Sequence, residues 1–356
     1  FQIVLIVIPL LYWAGCGDDE NEDNEGNPII SGRTIYIVGS DDDGACYWVN
    51  GSRVELSGGA WATDIVVVDG TVYISGQGDI TTTYEACYWI NQEIYELPGN
   101  GGEAEAIAVD GDDVYVAGWF NNGSCYWKNG ERINLTTNAE SQAFAIGVRN
   151  NGSVYIGGYY MNNHHYIIPC FWKDGNNRTN LPVPTHGDGE VYDITFDEAG
   201  NMRYYAGYTM KPDNLTGYAP KAARWRHTVR TDLPDGTSDI SLYGTGSYGI
   251  TIDGEDIYVA GYTDWIGDWD DDYTGGTFPR YWKNNKAHDL EGGPHDGNFG
   301  TGQANDIRVA DGNVVVVGMA TGGPTGESAC YWLNGELNYL DVVEGGSSEA
   351  TGIFIE

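Results

Sequence analysis

The side chains best suited to chemistry are three aspartates that occupy the same place in a repeated pattern. Asp64, Asp193 and Asp306 each stand directly before an isoleucine of the repeat. Carboxylates gathered at one place coordinate a cation or serve as acid and base in glycan cleavage. The alternative, and the more common role of such aspartates, is to accept backbone N–H hydrogen bonds from the preceding loop. If the chain is an enzyme, these three and the histidines His186 and His295 are the expected catalytic residues.

A second group of candidates contains aromatic and histidine side chains that lie outside the repeat. Exposed tryptophans stack on sugar rings or anchor a protein partner; alternatively, each covers its own loop. The histidines lack a metal-ligand spacing such as H-x-x-x-H. We expect the ligand-binding residues to be in this set: Trp61, Trp119, Trp265, Trp269, Tyr273, His164 and His165.

An acidic loop carries the third candidate site. Asp268, Asp270 and Asp272 supply the alternate oxygen donors that open a calcium loop. Tyr273 stands where an EF-hand requires glycine, and Pro279 where it requires glutamate. A calcium site outside the EF-hand class and a solvated acidic loop are both consistent with this pattern. No cofactor other than calcium is predicted.

These residues are positioned by a unit that recurs seven times. Its clearest copy, Ala104 to Leu135, reads as strand, Asp-Gly turn, strand, loop, aromatic strand, Asn-Gly turn and strand. Four short antiparallel strands at a period of roughly 40 to 55 residues are typical of a β-propeller blade. Each unit has an isoleucine in its first strand, a glycine at the end of its second and a tryptophan in its third: Ile65, Ile107, Ile146, Ile194, Ile250, Ile307 and Ile353; Gly39, Gly76, Gly118, Gly158, Gly207, Gly261 and Gly318; Trp48, Trp89, Trp127, Trp172, Trp225, Trp282 and Trp332.

The last copy of the first strand determines how the ring closes. Ile353 lies in the segment 350–355, which no further strand follows, whereas the first unit begins near Thr34 without a first strand. One C-terminal and three N-terminal strands complete a blade and remove an exposed sheet edge. We therefore predict an all-β, monomeric, seven-bladed β-propeller of four-stranded blades over residues 32–356, closed by the strand 350–355.

The N-terminal stretch, residues 1–15, is uncharged, almost wholly apolar and ends in Trp-Ala-Gly before Cys16. It is shorter than the roughly 20 residues of a membrane-spanning helix. It resembles a bacterial lipoprotein signal peptide, truncated at its start, and this implies cleavage before Cys16 and attachment of lipid to its thiol. Residues 16–31 are polar and acidic, which predicts a disordered tether. The membrane is therefore an expected partner, through Cys16.

The aromatic hairpin of the unit carries a short motif. In the segment 125–130 it reads Cys-Tyr-Trp-Lys-Asn-Gly and is followed by Leu135. This resembles the aromatic-Trp-x-Asn-Gly turn and later leucine of the bacterial extracellular repeat family called HAF, although the His-Ala-Phe element of that family is absent. The likeness covers one hairpin per unit. It implies an extracellular repeat protein.

Five cysteines occupy one place in their units, just before the aromatic pair: Cys46, Cys87, Cys125, Cys170 and Cys330. Equivalent positions on different blades are too far apart for the roughly 4.4–6.8 Å between Cα atoms that a disulfide needs. We therefore predict five free, buried thiols.

Charge and loop length limit the function. The chain has 52 Asp and Glu against 17 Lys and Arg, a net charge of -35, which argues against nucleic acid as a partner. Tight turns lie on one face of the ring, the turn face. Longer loops lie on the other, the loop face, and lengthen over blades 4 to 7. We expect a non-catalytic, lipid-anchored propeller of the bacterial envelope, facing the surface or the periplasm, that binds a polysaccharide or envelope protein through the loop face of blades 4 to 7. A glycan hydrolase or lyase and a structural subunit of an envelope complex are the alternatives.

Overall fold

The structure, a computed structural model, describes residues 30–79, 84–99, 101–121, 123–136, 140–175, 177–184, 187–213, 217–235, 242–266, 275–293, 300–324, 326–343 and 346–356. These residues form 28 strands and no helix, so none of them belongs to a helix that could cross a bilayer. The strands are β1 Ile35–Asp41, β2 Gly44–Val49, β3 Ser52–Glu55, β4 Gly59–Val68, β5 Thr71–Asp79, β6 Tyr84–Ile90, β7 Glu93–Glu96, β8 Gly102–Asp110, β9 Asp113–Phe120, β10 Gly123–Lys128, β11 Glu131–Asn134, β12 Ser141–Val148, β13 Val154–Met161, β14 Ile167–Lys173, β15 Asn177–Asn180, β16 Gly189–Phe196, β17 Arg203–Asp213, β18 Gly217–Arg226, β19 Val229–Asp232, β20 Leu242–Asp253, β21 Asp256–Ile266, β22 Gly275–Lys283, β23 Lys286–Asp289, β24 Gly302–Ala310, β25 Asn313–Gly323, β26 Gly326–Leu333, β27 Glu336–Tyr339 and β28 Glu349–Ile355.

The strands form seven four-stranded antiparallel sheets, which are the blades of a β-propeller. Blade 1 has the order β28-β1-β2-β3, and blades 2 to 7 each use four consecutive strands from β4 onward. The innermost strands are β28, β4, β8, β12, β16, β20 and β24, and each contacts the next around the ring. The predicted fold class is confirmed.

The ring is closed by the two ends of the chain. β28 pairs antiparallel with β1, with Ile353 opposite Ile37. Beyond this pairing, the backbone N–H groups of Thr34 and Glu356 each donate to the other's carbonyl, at 3.2 and 2.9 Å. Ile30 is also buried in the core, next to the first blade. The predicted closure by one C-terminal and three N-terminal strands is confirmed.

The seven repeat tryptophans lie between blades and are almost wholly buried. In five blades the indole N–H donates to the carbonyl of the residue that follows the leucine of the preceding blade. Trp332, for example, donates to Glu291 at 2.8 Å. The indole nitrogens of Trp89 and Trp172 are buried without an acceptor among the described residues. The tryptophans therefore both fill the space between blades and, in most cases, tie one blade to the next.

The Asn-Gly turns explain the uniform turn face. Asn129 and Gly130 both have positive φ, at 51° and 80°, as a tight hairpin turn requires. The Asn129 side chain also accepts a hydrogen bond from the backbone N–H of Val114 at 2.8 Å, where the second strand begins. The asparagine thus forms the turn and also accepts a hydrogen bond from a backbone N–H at the start of the second strand.

The five cysteines of the repeat are free and buried, as predicted. Burial raises the pKa of the Cys46 and Cys125 thiols to about 12. Because the thiolate is the reactive form, these residues are packing groups and not nucleophiles.

Candidate functional site

The innermost strand of every blade is bulged at the same place. Where it pairs with the second strand, the register shifts just before the repeat isoleucine. In blade 3 the shift falls between Ala104 and Ala106, so Glu105 has no partner in β9. A bulge takes its extra residue out of the hydrogen-bonded ladder. One side chain per blade is therefore released from regular pairing.

The glycine that ends each second strand makes room for this bulge. A Cβ on Gly118 would lie 1.9 Å from the carbonyl oxygen of Glu103, and the matching distances in the other six blades are 1.9 to 2.1 Å. Only a residue without a Cβ allows that carbonyl to approach so closely. The glycine that marks the repeat in the sequence is thus the partner of the bulge.

The residues at the bulges form one ring around the central channel. We call it the bulge ring, and its members from blade 1 to blade 7 are Thr351, Thr63, Glu105, Phe144, Tyr192, Tyr248 and Asn305. All seven line a cavity of about 480 Å³. This volume is within the range of small-molecule sites. The cavity is therefore the candidate functional site.

One side of the bulge ring is aromatic. Phe144, Tyr192 and Tyr248 come from blades 4, 5 and 6, and their ring centroids are 5.1 Å apart at each step. Such spacings are those of favourable aromatic pairs. Each ring is backed by a tyrosine of a second strand, at centroid distances of 6.0, 6.1 and 5.7 Å respectively: Tyr159, Tyr208 and Tyr262. The three blades thus present a continuous aromatic arc to the cavity.

Carboxylates hold the polar groups of the ring in place. Glu190 accepts hydrogen bonds from the hydroxyl groups of Tyr192 at 2.7 Å and Tyr208 at 3.1 Å. Glu349 accepts one from the side-chain amide of Asn305 at 2.7 Å. Burial raises the pKa of both carboxyl groups above the ordinary value. The hydroxyl and amide groups of the site are therefore oriented before any ligand arrives.

Glu105 is the carboxyl of the bulge ring itself. Burial, together with the neighbouring charge and hydrogen bond of Glu103, raises its pKa to about 8, while a hydrogen bond with Trp119 acts in the opposite direction. A carboxyl in this state holds a proton near neutral pH. It can therefore donate a hydrogen bond or a proton where an ordinary glutamate cannot.

The three predicted aspartates also line this cavity, one position after the bulge. Asp193 accepts two backbone hydrogen bonds at 2.7 Å, from Ile194 of its own strand and from Ile250 of the next blade. The other two bridge blades in the same way: Asp64 to Ile65 and Ile107, and Asp306 to Ile307 and Ile353. The donors are thus the innermost strands, and not the preceding loops that the sequence interpretation named. The physical reason is the bulge, which turns the carboxylate towards the neighbouring strand.

The charges of these aspartates depend on burial and on one arginine. Burial raises the pKa of Asp64 to about 6 and raises those of Asp193 and Asp306. Arg308 opposes this shift, and its guanidinium donates to Asp306 at 2.6 Å. The cavity lining contains five carboxyl groups and this one arginine. The site is therefore electrostatically suited to a neutral or cationic ligand.

The structure places four of the other predicted ligand-binding residues. Trp119 reaches the site through its hydrogen bond with Glu105. Trp61 occupies the strand position that Glu103 has in blade 3 and is 51% exposed. His164 and His165 are exposed in the loop between β13 and β14, apart from the residues that line the cavity.

The remaining predicted residues cannot be placed. His186, His295, Trp269, Tyr273, the calcium candidates Asp268, Asp270 and Asp272, and Cys16 lie outside the described residues. The backbone of Trp265 lies opposite Leu242 where β21 pairs with β20, but its side chain is likewise outside the described part of the chain. Within the described ranges, no group of three or more His, Cys, Asp or Glu side chains is placed to hold a metal ion.

The sequence interpretation missed the bulge ring. Its signal was nevertheless present, because every bulge residue stands two positions before the repeat isoleucine. At this place blades 4 to 6 carry Phe144, Tyr192 and Tyr248, whereas the other blades carry polar residues. The alternation of apolar and polar residues along a strand does not reveal such a position, because a bulge interrupts the alternation.

The fold and this channel site define the class of the protein as a seven-bladed β-propeller. No protein-family model and no curated protein matches the chain. Among solved structures, it is similar to the β-propeller domain of the trilobed protease from Pyrococcus furiosus, with 9% identity, a TM-score of 0.50, and coverage of 87% of this chain and 92% of that one. That domain has an open velcro topology, whereas β28 closes the ring here.

Two other solved structures are similar at lower TM-scores. One is a polysaccharide lyase described as an ulvan lyase, with 12% identity, a TM-score of 0.49, and coverage of 80% of this chain and 83% of that one. The other is an extracellular domain from B. thetaiotaomicron, with 11% identity and a TM-score of 0.43. The match covers 80% of this chain and only 37% of that domain. At these identities the likenesses concern the fold alone.

Proposed function

We propose that the protein is a non-catalytic glycan-binding propeller of the bacterial envelope, anchored through lipid on Cys16. The observation that carries this proposal is the division of the bulge ring into an aromatic arc and a polar side. Phe144, Tyr192 and Tyr248 offer rings for the apolar face of a sugar. Glu105 and Asn305 lie in the polar part of the same ring and offer partners for hydroxyl groups. A largely apolar cavity with a few placed polar groups is the usual form of a small-molecule site.

The location of the arc agrees with the loop lengths. The aromatic residues belong to blades 4 to 6, and the loop-face segments lengthen over blades 4 to 7. A glycan end that enters the channel from the loop face would meet the aromatic arc while its remaining units lie against these loops. The channel residues would then bind the end of the glycan, and the long loops would contact its further units.

The charge of the cavity selects among glycans. Besides Glu105, which holds its proton near neutral pH, four carboxyl groups and one arginine line it, and the chain has a net charge of -35. Uronic-acid and sulfated sugars would bring like charge into this field. The proposed ligand is therefore the end of a neutral or amino-bearing polysaccharide.

The test combines retention and product release in one assay. The full chain is run by affinity electrophoresis through neutral, amino-bearing and acidic polysaccharides, and the incubated mixtures are analysed for released oligosaccharide. We expect retention by neutral or amino-bearing polymers and no product. Tyr248→Ala should weaken retention about 30-fold, the loss of one aromatic anchor. The control Tyr95→Ala, on an exposed outermost strand, should not change it.

The second candidate function is a glycan hydrolase or lyase, and the raised pKa of Glu105 favours it. A carboxyl that is protonated near neutral pH can act as a general acid. Released oligosaccharide that disappears in Glu105→Gln would establish this function and refute the non-catalytic one. Absence of both retention and product across the panel would refute both and favour a protein partner.

A further inference from the structure

The turn face carries a cluster of cations between blades 4 and 5. We call it the basic cluster, and it contains Arg149, Lys173, Arg203 and Arg226. The first three surround one ring: the guanidinium carbons of Arg149 and Arg203 lie 6.0 and 4.9 Å from the Tyr155 centroid, and the Lys173 ammonium 5.7 Å. Such a concentration is unusual in a chain with only 17 Lys and Arg. Like charges this close repel one another, so the arrangement calls for an explanation.

Two other blades, 3 and 6, also end their third strand in a cation, and in both the cation is paired. In blade 3, Lys128 pairs with Asp113 at 2.7 Å. In blade 6, Lys283 pairs with Asp256 at 2.8 Å. Each lysine ends a third strand, and each aspartate stands two positions before the tyrosine opposite it. In these blades the cation is neutralised within its own sheet.

Blades 4 and 5 do not carry this carboxylate. The position of Asp113 is taken by Ser153 in blade 4 and by Met202 in blade 5. The Lys173 ammonium lies 3.7 Å from the carboxylate of Asp174, the next residue in the chain. The Arg226 guanidinium lies 3.8 Å from the Met202 sulfur. Neither cation is therefore paired with a carboxylate of the strand opposite it, as Lys128 and Lys283 are.

A further substitution adds charge in blade 4. Three positions after the repeat isoleucine, blades 3, 5 and 6 carry Asp110, Asp197 and Asp253, whereas blade 4 carries Arg149. Among the described residues, no carboxylate lies within ion-pair distance of Arg149, Arg203 or Arg226. The charge of Asp197 acts on His227, which also feels the charges of Arg149, Arg203 and Arg226. Relative to blades 3 and 6, the cluster thus has fewer acidic residues and, at Arg149, one more basic residue.

Unused hydrogen-bond donors point to a ligand. The Nε atoms of Arg149 and Arg203 are buried and have no acceptor among the described residues. The Tyr155 hydroxyl accepts from Arg203 at 3.4 Å. Burial by itself would raise the pKa of Tyr155, but the hydrogen bond from Arg149 and the charges of Arg203 and Lys173 lower it below its ordinary value. The positive field at this point is therefore not cancelled from within the protein.

We propose that the basic cluster binds a phosphate group. Guanidinium groups match the geometry of phosphate oxygens, and two of the three arginines have a donor without a partner. Arg149, Lys173 and Arg203 surround Tyr155, and Arg226 joins Arg149 and Arg203 in acting on the charge of His227. Such a group of cations suits a compact ligand of high negative charge. The group comes from free phosphate or from an anionic lipid headgroup, and both present the same oxygens. This site lies on the turn face, outside the residues that line the glycan cavity, and does not depend on the function proposed for that cavity.

The test uses the full chain and two phosphate sources. Inorganic phosphate is titrated and followed by ³¹P NMR line broadening, and retention is measured on vesicles of phosphatidylglycerol against phosphatidylcholine. We expect saturable phosphate binding by the wild-type chain. Ser153→Asp restores the acid that blades 3 and 6 carry, and should weaken binding at least about tenfold, as should Arg226→Gln. The matched control Lys128→Gln, which removes a paired cation, should leave binding unchanged.

Each outcome decides the proposal. Phosphate binding without preference for the anionic vesicles supports it with free phosphate as the source, and preferential vesicle binding supports it with the lipid headgroup. Absence of saturable phosphate binding together with equal retention on both vesicles would overturn it. Equal weakening by Lys128→Gln would overturn it as well, because binding would then follow general charge. Arg226 is exposed, so its variant tests the site even if Ser153→Asp proves unstable.

Discussion

Gly118→Ala tests the claim that the glycines of the repeat exist to accommodate the bulges. The new Cβ would lie 1.9 Å from the Glu103 carbonyl oxygen and 3.1 Å from the Trp127 ring. Ordinary van der Waals contact begins near 3.4 Å, so the carbonyl must retreat by about 1.5 Å. That carbonyl belongs to the innermost strand of its blade, which contacts the innermost strands of both neighbouring blades, so the shift would disturb this packing.

These distances indicate how much stability the substitution should cost. Overpacking a well-packed interior costs about 1–3 kcal/mol. Because the obstructing atom is backbone, we expect the upper end of this range, about 3 kcal/mol, or roughly 6–12 °C in melting temperature at about 2–4 °C per kcal/mol. Retention of the protein by the polysaccharide should also weaken, because the shift of Glu103 would move Glu105, two positions further on, out of the bulge ring.

Gly123→Ala is the matched control. Gly123 lies in the same blade, and its added Cβ would meet only carbonyl oxygens at 3.5 Å. We expect its effect to stay within about 0.5 kcal/mol. Both variants are compared by scanning calorimetry and affinity electrophoresis. If Gly118→Ala melts within 1 °C of the control and retains its glycan, the explanation of the repeat glycine is wrong.

Three further predictions concern the ring. Asp193→Ala leaves two buried N–H groups without acceptors and should cost about 2–4 kcal/mol in urea unfolding; an unchanged midpoint would contradict the bridging role. Trp332→Phe removes a hydrogen bond that Trp89 does not make, so it should destabilise about 1 kcal/mol more than Trp89→Phe; equal losses would refute this. The folded-state pKa of Glu105 is raised to about 8, so the stability it contributes is complete below about pH 4 and is lost as pH rises through 8. Glu105→Gln should therefore melt above the wild-type chain at pH 9 and not at pH 5, and no difference at pH 9 would refute the shift.

The fold followed from the sequence because its signals are local and repeated. Glycine, tryptophan and Asn-Gly turns recur in register, and each has a direct structural counterpart: a bulge, a contact between blades and a hairpin. The missing first strand at one end and the surplus strand at the other predicted the closure. Equivalent spacing also predicted free cysteines, because equivalent points of different blades stay apart.

The candidate site was predicted less completely. The aspartates were found, but their bonds to the next blade were not, because Asp193 and Ile250 are 57 positions apart in the chain. The aromatic arc was missed because Tyr192 and Tyr248 are brought side by side only by the curvature of the ring. The basic cluster was missed for the same reason, since its four cations are spread from position 149 to position 226. The order of charged residues along the sequence does not predict which of them lie close together between two blades.

The closing strand also fixes how the molecule would stand on a surface. β28 ends and β1 begins where the other blades have their first turn, so the chain enters and leaves the ring at the turn face. A chain attached at Cys16 would be connected to this face by a segment of about 50 Å at most, since Ile30 follows Cys16 by 14 positions. The basic cluster would then face the membrane, and the longer loops of the loop face would point away from it. The point of attachment and the long loops would thus lie at opposite poles of one ring.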